Sequence, residues 1–174
     1  MEEFYAKSVD RVETLLNSVR RQGVPGILSR LQLMAILEQL PESEKRSELM
    51  TTMTEAIEAW PSKTSAGVNY TLAEALIVGV LGKEAVIGDQ TRSVIDSLVE
   101  KAFATAPQSE EGGEGSADGS QAAAKDANTA LQLLGLLDLH AFQAGSDRAL
   151  RARLYTACRE KLSAADEVAT QRLD

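Results

Sequence analysis

Three residues toward the end of the chain carry side chains that could move a proton or attack a carbon: Asp138, His140 and Cys158. His140 is the only histidine and Cys158 the only cysteine. One imidazole excludes HExxH and every paired-histidine metal site, and leaves no base to spare for a Ser–His arrangement. A Cys158–His140 pair would have to meet across the last two helices, and it would need oxyanion donors that no motif announces. Phosphate loops of the GxxxxGK[ST] or GxGxxG type are absent. The glycines of GGEGSADG adjoin no strand and carry acids that would repel phosphate. The bland readings are therefore preferred: Cys158 is a small hydrophobe on the inner face of its helix, and His140 is a boundary or core residue. No catalytic residue, no metal site and no cofactor is expected, and the chain is not expected to be an enzyme.

Asp138 is an anomaly of a different kind. On a helical wheel it falls within the apolar face shared by Leu131, Leu134, Ala141 and Phe142, which marks it as a buried acid. An unpaired carboxylate there would be costly or would shift its pKa upward. The expected remedy is an ion pair with an arginine of the next helix.

That next helix holds the clearest binding pattern. Arg148, Arg151, Tyr155 and Arg159 are spaced by three, four and four residues, so they line one helical face opposite a leucine stripe. Such rows are commonly solvated surface, yet arginine and tyrosine are enriched at interface hot spots. If the row binds, its partner is another protein presenting an acidic peptide or helix, or the chain's own acidic segment in the free state. Trp60 offers an aromatic anchor if it is not taken into the core.

The elements that must position these residues are all helical. The composition is 44% apolar but only 4% aromatic, and Leu, Ala, Met, Glu and Arg form a helical palette with no alternating Val/Ile/Thr run. The least polar stretch is Thr71–Gly82, TLAEALIVGVLG. Thr71 and Glu74 read as a capping box, and apolar residues then go round the whole wheel, as expected of a central helix enclosed by others. Before it, stripes predict helices over Glu3–Arg21 (Tyr5, Val9, Val12, Leu16, Val19), Gly26–Leu40 and Glu42–Trp60 (Leu49, Met50, Met53, Ile57, Trp60). The second of these has Ile27, Leu31 and Met34 on one side and Leu33, Ile36, Leu37 and Leu40 on the other. Gly23 and Pro25 make a tight connection between the first two.

A fifth helix follows Asp89, read as its N-cap, with Thr91, Val94, Ile95, Leu98, Val99, Ala102 and Phe103 as its stripe. A sixth spans Ala122–Gln143. A seventh begins with Ser146 as cap and runs to about Ala169 on Leu150, Leu154, Ala157, Cys158, Leu162 and Ala165. Between the fifth and sixth, residues 105–120 are rich in Gly, Ser and acid with nothing to bury, and predict a disordered acidic loop.

The predicted architecture is an all-α irregular seven-helix bundle or short helical superhelix. It is divided as a 1–104 core, a 105–120 linker and a 121–174 helical hairpin docked on that core, with no solenoid repeat. A net charge of −8 disfavours nucleic acid. No segment is long and apolar enough to span a bilayer, and a charged beginning without an apolar run predicts no signal peptide. The single thiol fits a reducing, cytoplasmic setting. The function expected from all this is a non-catalytic protein–protein interaction module: an adaptor, assembly factor or scaffold subunit, either alone or as a homo-oligomer. A chaperone for a secreted or assembling partner is one alternative. A carrier or sensor of an apolar small ligand is the other.

Overall fold

The computed structural model describes residues 2–60, 68–81, 87–104, 116–140 and 147–170. Among them every regular element is helical: α1 (Glu2–Ser18), α2 (Val24–Glu38), α3 (Glu44–Glu58), α4 (Tyr70–Leu76) continuing as a π-helical turn (Ile77–Leu81), α5 (Asp89–Ala102), α6 (Ser116–His140) and α7 (Arg148–Thr170). The chain is all-α, with no strand among the described residues. Residues 105–115 of the expected linker, Ser146, Ala141 and Phe142 lie outside the described residues, as does the His140 side chain. Contacts gather into two units. One joins Met1–Ser62 to Ala85–Ser97, the other Lys63–Glu84 to Leu98–Asp174. The second thus combines residues of the expected 1–104 core with those of the expected hairpin.

In the first unit α1, α2 and α3 pack on one another. Val9 and Val12 bury the α1 stripe. Gly23 turns the chain at φ 70°, a left-handed conformation that costs glycine little, and its carbonyl accepts the N–H groups of both Gly26 and Ile27 at 3.1 Å. Pro25 sits in the first turn of α2, where its missing N–H is no loss. Ile27, Leu31, Met34, Leu33 and Leu37 are buried on two sides of α2, whereas Ile36, expected among them, is 49% exposed. Ser43 caps α3 by accepting the Arg46 N–H at 3.2 Å. Leu49, Met50, Met53 and Ile57 of the expected stripe are buried, whereas Trp60 lies past the end of α3 and is half-buried. Arg46 intrudes near this stripe. Its side chain is only 13% exposed, its Nε has no hydrogen-bond partner, and Glu42 stands 4.0 Å away. Lys45 ties α3 to α1 through Asp10 (2.8 Å) and Glu13 (2.7 Å). Those two carboxylates raise the pKa of the lysine above its ordinary value.

α5 begins in this unit, and its cap is not Asp89. The Glu38 carboxylate of α2 accepts the N–H groups of Gln90 (2.8 Å) and Thr91 (3.3 Å). A longer side chain arriving from another helix does what a local Asp was expected to do. The stripe from Thr91 to Phe103 is otherwise buried throughout as expected.

In the second unit α6 and α7 pack along each other, both against the π-helical turn, and α4 packs on α6. Leu72, Ala73, Leu76 and Ile77 are at most 1% exposed, so the apolar stretch does lie in a core. Two expectations about it fail. Asn69, not Thr71, is the N-cap, accepting the Leu72 N–H at 3.1 Å. The helix starts earlier and Thr71 is already inside it, exposed. Nor is the stretch enclosed all round, since Val78 is 47% exposed. Apolar residues on every side do not by themselves enclose a helix: α6 and α7 pack on the turn at Ile77–Leu81, and Val78 is left outside that packing. The Asn69 N–H also reaches the Ala102 carbonyl at the end of α5 (2.7 Å), and the Val68 N–H reaches Asp126 on α6 (3.0 Å).

Candidate functional site

α7 is capped by Asp147, whose carboxylate accepts the Leu150 N–H at 2.9 Å. From there Leu150, Leu154 and Cys158 recur every four residues and are buried to 3% exposure or less. Spacing then dictates where the arginine row falls. Arg151 and Tyr155 are each one residue past a buried leucine, so they sit on the shoulder of the buried stripe, half-buried. Arg148 and Arg159 are exposed. The row runs obliquely from solvent across a shoulder and back to solvent.

Tyr155 carries a contact that joins two singled-out residues. Its hydroxyl donates to Oδ1 of Asp138 on α6. That bond raises the pKa of the phenol above its ordinary value, with partial burial adding to the shift and Arg151 opposing it. The expectation that Asp138 is a buried acid is corrected here: Asp138 is exposed, and its partner is a tyrosine rather than an arginine. The buried face of α6 is Ala130, Leu133 and Leu137, about a quarter-turn round the helix from Asp138. Leucine-rich α6 offers several apolar arcs, and a wheel alone selects the wrong one. The arc left outside includes Leu131 (56% exposed) and Leu139 (70% exposed), with Gly135 between them facing open space. Sequence reasoning misses this exposed pair because it puts Leu131 on the face it takes for the core.

Cys158 is fully buried, and burial pushes its thiol up to about 11, so at neutral pH it is not a thiolate. Among the described residues no group of three His, Cys, Asp or Glu side chains gathers as a metal site would require. No described helix is long and apolar enough to cross a membrane. Arg153, outside the expected row, pairs with Glu100 of α5 at 2.8 Å and so fastens α7 rather than offering itself to a partner.

Trp60, in the first unit, is half-buried. It lines an open pocket of about 350 Å³ with Arg21, Ile27, Arg30 and Ala59. A larger hollow of about 500 Å³ lies between Tyr5 and Val9 of α1 and Pro41, Ser43 and Lys45. No protein-family model, curated protein or solved structure matches the chain.

Proposed function

We propose that the chain is a non-catalytic helical module that binds an acidic peptide or helix of another protein through the α7 row. The observation that carries this reading is the arrangement around Tyr155. Its phenol is anchored on Asp138 between exposed Arg148 and Arg159. A fixed aromatic flanked by solvent-facing cations is a preorganised surface, which lowers the ordering cost of binding. The test is fluorescence anisotropy with a labelled acidic amphipathic peptide. Joint replacement Arg148→Ala, Arg151→Ala and Arg159→Ala is expected to weaken binding at least about tenfold with the fold retained. Unchanged affinity in that variant would remove the assignment.

The chaperone reading has Leu131 and Leu139 in its favour, since exposed leucines on one helix are the kind of surface such a protein offers. It predicts strong binding of an apolar fluorescent dye by the folded chain, reduced by Leu131→Gln with Leu139→Gln. Weak dye binding would count against it.

A further inference from the structure

Gly26 leaves the space in which the backbone carbonyl of Arg21 and the side chain of Arg30 approach each other. A Cβ at this position would collide with the Arg21 carbonyl oxygen and stand 3.0 Å from Nη1 of Arg30. That same Nη1 donates to the Gly26 carbonyl at 3.1 Å, which lays the Arg30 guanidinium along the first turn of α2 and leaves it half-buried. Arg21, in the turn before α2, is exposed. Both line the 350 Å³ pocket, whose apolar surface comes from Ile27, Ala59 and Trp60.

The electrostatics of this pocket run against those of the chain. The protein as a whole carries −8, yet no carboxylate is among the described residues that line the pocket. Glu55 and Glu58 are on the same stretch of α3 but exposed and outside the lining. The pocket lies at the start of α2 and the end of α3, so the two helix dipoles oppose each other there. The Arg30 guanidinium, with Arg21 also in the lining, therefore sets the local field. A guanidinium recognises a carboxylate through paired N–H donors, and a tryptophan face beside it accepts an apolar group. The volume is at the small end for ligand sites and the pocket is open, which suits one side chain of a longer molecule that continues into solvent.

We propose that this pocket is a second binding site, distinct from the α7 row. It takes one apolar side chain of an acidic peptide segment from a partner protein, and an adjoining carboxylate of that segment is held by Arg21 and Arg30. Charge complementarity selects the acidic flank, and Trp60 with Ile27 selects the apolar residue.

Trp60 is the only tryptophan, so its emission reads this pocket directly. The probe is a short blocked peptide with one phenylalanine flanked by aspartates and glutamates, titrated into the whole chain with selective tryptophan excitation. A saturable change in Trp60 emission is expected. It should weaken about tenfold or more in Arg21→Glu, weaken with added salt, and be absent with a peptide whose acids are replaced by lysines. Arg21 is exposed, so the variant should melt like the parent. If it did not fold, the salt series and the lysine peptide on the unaltered chain would still decide. Arg148→Ala with Arg159→Ala is expected to leave this titration unchanged, which separates the fate of this site from that of the α7 row. No saturable response, an equal response to the lysine peptide, or undiminished binding by folded Arg21→Glu would overturn the proposal. So would binding of free N-acetylphenylalanine as tight as that of the peptide, which would make the pocket a site for small acids.

Discussion

Glu38 and Gln90 are 52 residues apart in sequence, and the carboxylate of the first takes the backbone N–H of the second at 2.8 Å. Gly88 makes room for that approach: a Cβ there would lie 2.5 Å from the Glu38 carboxylate carbon. The start of α5 is thus held by α2, in a cap that requires a side chain on one element and its absence on the other. Glu38→Ala is expected to cost about 0.5–2 kcal/mol, the range for losing a helix N-cap. Gly88→Ala should cost a similar amount by displacing the carboxylate, and the double variant should cost less than the two together because both remove one interaction. Chemical denaturation of the four proteins checks this, and full additivity would refute the shared mechanism.

The Tyr155–Asp138 bond has a pH signature. The folded-state pKa of the phenol is raised above its unfolded value. The bond's contribution is therefore fully present below the ordinary tyrosine range near 10 and is lost as pH rises through the folded pKa. Tyr155→Phe is expected to lower stability by about 0.5–1 kcal/mol at neutral pH, with the difference from the parent vanishing in strong alkali. Asp138→Asn should shift the alkaline absorbance titration of one tyrosine downward. An unmoved titration would mean that the bond does not form in solution.

Arg46 is a cation near the buried stripe of α3 with an unpartnered Nε and, among the described residues, Glu42 at 4.0 Å as its paired carboxylate. Desolvating a guanidinium without close pairing is unfavourable. Arg46→Met keeps the length of the side chain and removes the charge. It should raise stability by about 1 kcal/mol or more, read as a higher melting temperature. A lower one would show that the guanidinium is better satisfied than its neighbours indicate.

Opposite sides of α6 should respond differently to substitution. Leu133→Ala and Leu137→Ala each remove a fully buried side chain and should cost about 2–5 kcal/mol. Leu131→Gln and Leu139→Gln change exposed positions and should stay within about 0.5 kcal/mol. Equal losses on both sides would mean that Leu131 and Leu139 are covered in the folded protein.

How far a helix can be read from its sequence depends on how many apolar arcs it offers. α5 has a single arc bounded by Arg92, Asp96 and Glu100, and every residue placed on it is buried. α6 has leucines at 131, 133, 134, 136, 137 and 139, so periodicity cannot choose among its sides, and a wheel turns Asp138 inward with them. At α4 the Thr71/Glu74 pair matches a capping pattern, but Asn69 two residues earlier is as good a cap, and pattern alone does not rank two adjacent starts. Glu38 to Gln90, a contact across a long stretch of sequence, and Arg21 with Arg30 around Gly26 have no signal in local periodicity. The row on α7 is legible as a pattern, whereas the part Tyr155 plays in fastening two helices is not.

The two units are interleaved along the chain, with Lys63–Glu84 belonging to the second and Ala85–Ser97 returning to the first. During synthesis on the ribosome, which is vectorial, the first unit has all its parts once Ser97 has emerged. Leu72, Leu76 and Ile77, made earlier, must wait for α6 and α7 before their greasy side chains have the partners they keep. A nascent polypeptide stalled in that interval would carry one finished half and one uncovered seam, and it is there that proteases and holdases would find it.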